Sequence, residues 1–150
     1  MSRVIVAPGF AGVVAALVSL TASGQSTGGS PAGQSRSVIV QEASIAVHQP
    51  GPHDGGGETT AFPFFSQIPD FKMAFRKRIL HRGSAIGYHR QEFDEVYYII
   101  SGTGEYTLNG QRQQVGPGTA MLTRPGDSHG LRPSGEGELA LIIVYQLPTR

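Results

Sequence analysis

Polar residues with ligating atoms recur at fixed short intervals inside apolar, β-type sequence. His89-Arg90-Gln91-Glu92-Phe93-Asp94-Glu95 runs into Val96-Tyr97-Tyr98-Ile99-Ile100 and is closed by Gly102; Pro125-Gly126-Asp127-Ser128-His129 answers it downstream. Side chains two apart on a strand point to the same face, so His89 and Gln91 share a face if that segment is extended. Glu95 opens the next apolar run, and a tight loop brings it back beside them. His129 must come from a separate strand. Two imidazoles and a carboxylate are the ligand set of open iron, manganese or zinc sites, whose remaining positions take water or substrate.

The rest of the chain supplies strands to carry such a site. Gly is high at 21, Pro stands at 10 and charged residues are only 15%, the profile of many short strands joined by turns and not of a helical bundle. Strands are expected at Ser37–Gln41 and Ala43–His48, both rich in β-branched residues, then a Gly/Pro loop at Gln49–Gly57. Ala61–Phe65 reads as a short edge strand, because Pro63 cannot donate to a ladder. Further strands are expected at Met73–His81, up to His89, Glu95–Ser101, Glu105–Leu108, Gln111–Val115, Thr119–Thr123, His129–Arg132 and Glu138–Leu147. Asn109-Gly110 is the strongest hairpin signal. No segment offers a long amphipathic helix, and no internal repeat is present.

The ends and the charge balance narrow the function classes. Met1-Ser2-Arg3 is a short positive start, Val4–Leu20 carries no charge, and Ala22-Ser23-Gly24 offers small residues for cleavage. Residues 1–24 are therefore expected to be a signal peptide, with export to the periplasm or beyond and no stable membrane association after cleavage. Residues 25–36 are Gly-, Ser- and Gln-rich and read as a flexible linker; residues 37–150 read as one domain. The formal net charge is +1, and loss of Arg3 leaves 11 basic and 11 acidic residues, so nothing argues for nucleic acid. Cys is 0, which excludes disulfides, thiol nucleophiles, thiolate ligands and a lipoprotein anchor.

The spacing of the polar residues resembles that of the cupins. Their first motif reads Gly, five residues, His-x-His, three or four residues, Glu, six residues, Gly; here stand Gly83, His89-Arg90-Gln91, Glu95 and Gly102 at those intervals. The second reads Gly, five residues, Pro-x-Gly, two residues, His, three residues, Asn; here stand Gly118, Arg124-Pro125-Gly126, His129 and Pro133. Gln91 replaces the second histidine, the proline is displaced by one place, and Pro133 replaces the asparagine. The motifs cover Gly83 to Pro133, about a third of the chain. The resemblance implies an all-β, antiparallel double-stranded β-helix, or jelly-roll barrel, whose ligands project into a central cavity. It also implies a divalent metal, Fe, Mn, Ni or Zn, on His89, Gln91, Glu95 and His129. A homodimer, common among cupins, is one expectation for the apolar run Leu139–Tyr145; a core role is the other.

Gln91 leaves three readings open: a fourth ligand with a neutral amide oxygen, a neighbour hydrogen-bonded beside a three-ligand site, or the mark of a site that no longer binds metal. Tyr97 and Ile99 share the parity of Glu95 and should face the cavity; Tyr97 is a weak catalytic candidate. Arg76, Lys77 and Arg78 cannot all face inward on one strand, and an inward cation would suit a carboxylate or phosphate. Arg90 and Arg124 could do the same at the cavity mouth. His53 is the other weak catalytic candidate if its loop closes as a lid, a plain surface histidine otherwise. His48 reads as a loop histidine, and His81 has no special claim. Three functions fit: a metal-dependent enzyme (dioxygenase, decarboxylase, lyase or isomerase) on a small oxygen-rich substrate, a non-catalytic ligand-binding module, or a structural barrel with a decayed site.

Overall fold

The computed structural model describes residues 37–148. The expected leader (1–24) and linker (25–36) lie outside the described residues. Ten strands follow a single 3-10 turn at Glu42–Ser44: β1 Val47–Pro50, β2 Glu58–Phe64, β3 Met73–Leu80, β4 Ile86–Arg90, β5 Glu95–Ser101, β6 Gly104–Leu108, β7 Gln111–Val115, β8 Ala120–Thr123, β9 Ser128–Pro133 and β10 Leu139–Gln146. They form a six-stranded sheet in the order β1-β2-β3-β10-β5-β8 and a four-stranded sheet in the order β4-β9-β6-β7, antiparallel at every pairing. This is the jelly roll that the motif spacing implied.

Alternation decides which face of each strand is inside. Along β5, Glu95, Tyr97 and Ile99 are buried while Val96, Tyr98 and Ile100 are exposed. The core joins the two sheets through Leu80, Ile86, Tyr97, Ile99, Tyr106, Val115, Leu131, Leu139, Leu141 and Ile143. β10 lies between β3 and β5, so Leu139, Ala140, Leu141 and Ile143 are buried core. Asn109 and Gly110 have φ of 47° and 79°, the left-handed pair that a two-residue hairpin between β6 and β7 requires.

Three expectations are corrected at the start of the domain. Ser37–Gln41 forms no strand, and Glu42–Ser44 is a 3-10 turn, so the first strand begins only at Val47. β-branched composition alone does not make a strand without a partner to pair with; Ile39 is 93% exposed. The Gly/Pro loop starts later than expected, because Gln49 and Pro50 end β1 opposite Thr59 and Glu58. The strand holding Pro63 is not the sheet edge, since β1 covers its first half. β1 stops at Val47 opposite Ala61, however, leaving Pro63 with a neighbour only on the β3 side, where its missing N–H costs no ladder bond.

Candidate metal centre

The site lies between the two sheets. His89 on β4 and His129 on β9 are direct cross-strand partners in the four-stranded sheet, and Glu95 opens β5 in the six-stranded one. The two motif loops are clamped together by backbone hydrogen bonds: Gln91 N–H donates to Asp127 O at 2.8 Å, and Gly126 N–H donates to Gln91 O at 2.9 Å. Gly126 makes that turn with φ of 95°, a conformation that glycine accepts without strain. A ligand atom from each of His89, Glu95 and His129 lies within 4.8 Å of the others, and His129 Nε2 stands 3.1 Å from Glu95 Oε2.

The outer nitrogens of the rings set their tautomers. His89 Nδ1–H donates to the Gly87 carbonyl at 2.8 Å, which leaves a lone pair on Nε2. His129 is wholly buried, and its Nδ1 meets Thr123 Oγ1 at 2.8 Å and Tyr106 Oη at 3.1 Å. With Nδ1–H donating to Thr123, its Nε2 also carries a lone pair into the site. Such outer-ring partners are what metal-ligating histidines have. Burial, and the nearby Glu95 charge, push the Tyr97 pKa well above its ordinary value, so Tyr97 acts as a hydrogen-bond donor and not as a proton source near neutral pH.

The donor set fits a cation. Gln91 Nε2 lies 3.3 Å from His89 Nε2 and 3.0 Å from His129 Nε2, and it also contacts Glu95 Oε2. Three acceptors thus converge on one amide group that has only two hydrogens to give. With the Gln91 amide swung aside or turned to present its oxygen, a positive ion at this point would satisfy all three at once. Burial holds the His89 pKa below its ordinary value despite the hydrogen bond to Gly87, which favours the neutral, ligating form.

A cavity of about 340 Å³ opens on this cluster, lined by His53, Arg76, Arg78, Arg90, Phe93, Tyr97, Ile143 and Tyr145 among others. His53 lies flat on His89, with ring centroids 3.5 Å apart and planes 3° from parallel. Its loop can approach because Gly87 N–H donates to Pro52 O at 2.9 Å and a methyl group at Gly87 would overlap the His53 carbonyl oxygen. Burial, then the neighbouring His89, lowers the His53 pKa.

Arg76 and Arg78, two apart on β3, both face the cavity, while Lys77 turns outward to Glu42 at 2.9 Å. Arg78 is 2% exposed. Its Nη1 donates to Thr59 Oγ1 at 2.7 Å, and Gln49, with its amide oxygen turned to the guanidinium, accepts at 2.8 and 2.9 Å. Arg76 Nη2 donates to Tyr145 Oη at 2.7 Å. The Nε of each arginine is buried without a hydrogen-bond partner. Burial, then the charge of Arg76, lowers the Arg78 pKa. Arg90 also lines the cavity, whereas Arg124 pairs with Asp94 at 3.1 Å. The histidine-orienting pair Thr123 and Tyr106, and the cavity residues of β10, had no sequence signal beyond strand parity.

A jelly roll with two histidines and a glutamate converging between its sheets defines a cupin. The model of the family described as "AraC-like ligand binding domain" matches residues 74–150, just over half of the 150 residues, and the chain belongs to that family. Over 74 residues it is 32% identical to an oxalate-binding protein of Thermotoga maritima, an alignment covering 49% of this chain and 61% of that relative. The chain thus spans about three-fifths of that relative's length. Among solved structures it resembles a Thermotoga maritima protein described as a predicted oxalate decarboxylase, with TM-score 0.66 and 24% identity over 74% of this chain and 100% of that one. It also resembles a polyketide cyclase of Streptomyces resistomycificus, with TM-score 0.63 and 19% identity over 75% and 80%. At these identities the structural likenesses establish the fold.

Proposed function

We propose that this cupin is a metal-dependent enzyme acting on a small, oxygen-rich carboxylate held in the barrel. His89, Glu95 and His129 would hold a divalent ion, with Gln91 as the adjacent amide. When bound, the ion supplies Lewis-acid polarisation of a ligand oxygen or, as iron, redox chemistry. The observation that carries the substrate class is the arginine pair. Arg76 and Arg78 both line the cavity, the Nε of each is buried without a hydrogen-bond partner, and neither guanidinium pairs with a carboxylate among the described residues. An uncompensated buried cation is costly, and a carboxylate from solution offsets that cost through charge-assisted hydrogen bonds. His53, stacked over His89 and kept neutral by burial, is placed to accept a proton at the cavity mouth.

A non-catalytic ligand-binding role is the second reading. The family is described by ligand binding and the curated relative is named for binding oxalate. The structural-barrel reading requires a filled interior, and the cavity of about 340 Å³ argues against it. Metal analysis of the purified chain beside Glu95→Ala and His129→Ala tests the site. Near-stoichiometric metal lost by both variants supports the proposal; no metal in the wild type after each ion has been offered sinks it. Oxalate and related small carboxylates are then offered to the loaded protein. Turnover favours the enzyme, and saturable binding without turnover favours the binding module. The reading also includes export, which rests on residues 1–24 and is checked by the mass of the secreted chain. It includes a homodimer, no longer through Leu139–Tyr145, where Leu139, Ala140, Leu141 and Ile143 are core, but through the exposed Val96, Tyr98, Ile100 and Leu122, checked by sedimentation.

A further inference from the structure

The six-stranded sheet carries a second convergence of imidazole and carboxylate on its other face. Thr59 and Arg78 face the cavity side, so Thr60 and Ile79, which alternate with them, face outward. His48 is the cross-strand partner of Thr60, and Thr60 that of Ile79. His81 follows β3, and its N–H donates to Glu58 O at 3.3 Å, which sets it beside Glu58. One ligand atom from each of His48, Glu58 and His81 lies within 4.8 Å of the others. His48 Nδ1 is 3.3 Å from Glu58 Oε1. Thr60 Oγ1 is hydrogen-bonded to both rings, 3.3 Å from His48 Nδ1 and 2.9 Å from His81 Nε2.

A fourth residue gives the cluster its chemistry. Glu138, just ahead of β10, places Oε1 2.6 Å from His81 Nδ1. Donation from Nδ1–H to that carboxylate fixes the tautomer, leaves the lone pair on Nε2 and raises its basicity. This carboxylate–histidine arrangement is the one that orients metal-bound imidazoles. Two imidazole nitrogens and one carboxylate oxygen suit a borderline ion; Ca²⁺ and Mg²⁺ call for all-oxygen shells. His48 and Glu58 stand on the adjacent strands β1 and β2, and His81 directly follows β3 with its N–H bonded to Glu58 O, so little besides side-chain freedom is lost when an ion binds.

We propose that His48, Glu58 and His81 form a second cation site, selective for Zn²⁺-like ions, with Glu138 as the positioning residue for His81. It differs in kind from the barrel site. His48 and Glu58 are exposed, so the ion has solvent beside it. Its effect is to tie the edge strand β1, which has a partner on one side only, to the end of β3 and the turn before β10.

The test is a Zn²⁺ titration of the chelator-stripped full chain by calorimetry, repeated with Co²⁺ for its visible absorption. The wild type should show two binding classes. His48→Gln and His81→Gln should each abolish one class and leave the other, while Glu95→Gln should do the reverse. Glu138→Gln should weaken the outer class about tenfold. Thermal melts of each stripped variant confirm that the fold is intact, both for the exposed or half-exposed outer substitutions and for the buried Glu95→Gln. A single class that Glu95→Gln removes would overturn the proposal, as would a second class that neither histidine substitution moves. If the barrel binds no metal, one class that survives Glu95→Gln and is lost in both histidine variants still supports the outer site.

Discussion

Two clusters in this molecule have the same composition, two histidines and a glutamate, in opposite settings. The inner one draws His89 and His129 from one sheet and Glu95 from the other, with His129 wholly buried and Glu95 only 6% exposed. The outer one lies along three neighbouring strands of a single sheet, with His48 and Glu58 in solvent. The inner histidines are held by hydroxyls and a carbonyl inside the barrel; the outer ones are held by the Thr60 hydroxyl, by Glu138 and by Glu58 on the sheet's far face. Donor identity alone therefore does not define a site. Burial sets how strongly the donors depend on an ion: the inner acceptors are largely buried and converge on one amide, while His48 and Glu58 of the outer cluster are exposed.

The largest expected effect separates the clusters by metal-linked stability. An ion that binds only the folded chain stabilises it by about 4 kcal/mol at about 1,000 times its Kd, which raises the Tm of a domain this size by on the order of 10 °C or more. Saturating Zn²⁺ should produce most of its rise through the inner site. The rise should persist in His81→Gln and largely vanish in Glu95→Gln, measured by thermal melts with and without chelator. Equal losses in both variants would show that the two clusters are one coupled unit.

The arginine pair gives the next effect. Arg78→Gln removes a buried cation whose Nε has no partner. The proposed carboxylate ligand should bind about 100-fold more weakly, as expected for truncating one side of a buried charge pair. The unliganded protein should keep its Tm or gain slightly, because a desolvated charge has been removed. Calorimetry with oxalate and a thermal melt read the two halves. A large fall in Tm would mean that Arg78 holds the fold through Thr59 and Gln49 and is not reserved for a ligand.

The inner cluster was legible because its residues sit at motif intervals within Gly83–Pro133, and each interval is a strand or a tight turn. The parity of Glu95, Tyr97 and Ile99 came from strand alternation alone. What stayed hidden depends on contacts between distant segments. His53 reads as a loop residue until the Pro52–Gly87 hydrogen bond lays its loop on β4. His48 and His81 are 33 positions apart by number, and only the β1-β2-β3 order joins them. Arg76 and Arg78 were legible as same-face residues, but which face was inside depended on the pairing of β3 with β10. Ser37–Gln41 failed as a strand for the same reason: propensity is local and partners are not.

A smaller effect tests how the loop reaches the inner site. Gly87→Ala places a methyl group against the His53 carbonyl oxygen. The overpacking should cost about 1–3 kcal/mol and push the loop from His89. Metal content should hold, because His89 Nδ1 keeps its bond to the carbonyl of residue 87. Carboxylate affinity or turnover should fall. Loss of metal instead would show that the loop is part of the ligand support.

The smallest effect is a pH slope in the metal-free protein. Burial lowers the pKa of His53 and of His89 in the folded chain. The unfolded chain takes up those protons near pH 6.5, and the folded one resists them until lower pH. The unfolded state therefore binds more protons in that window, and stability rises with pH across it. The contribution is fully present above about pH 6.5 and is lost as pH falls through the folded pKa values. Urea denaturation of the chelator-stripped chain between pH 7 and pH 5 should show this decline, and His53→Asn should make it shallower by removing one of the two groups. Parallel curves for the variant and the wild type would mean that His53 is as well solvated as the exposed cluster on the far face, and the contrast in burial between the two sites would then rest on His89 and His129 alone.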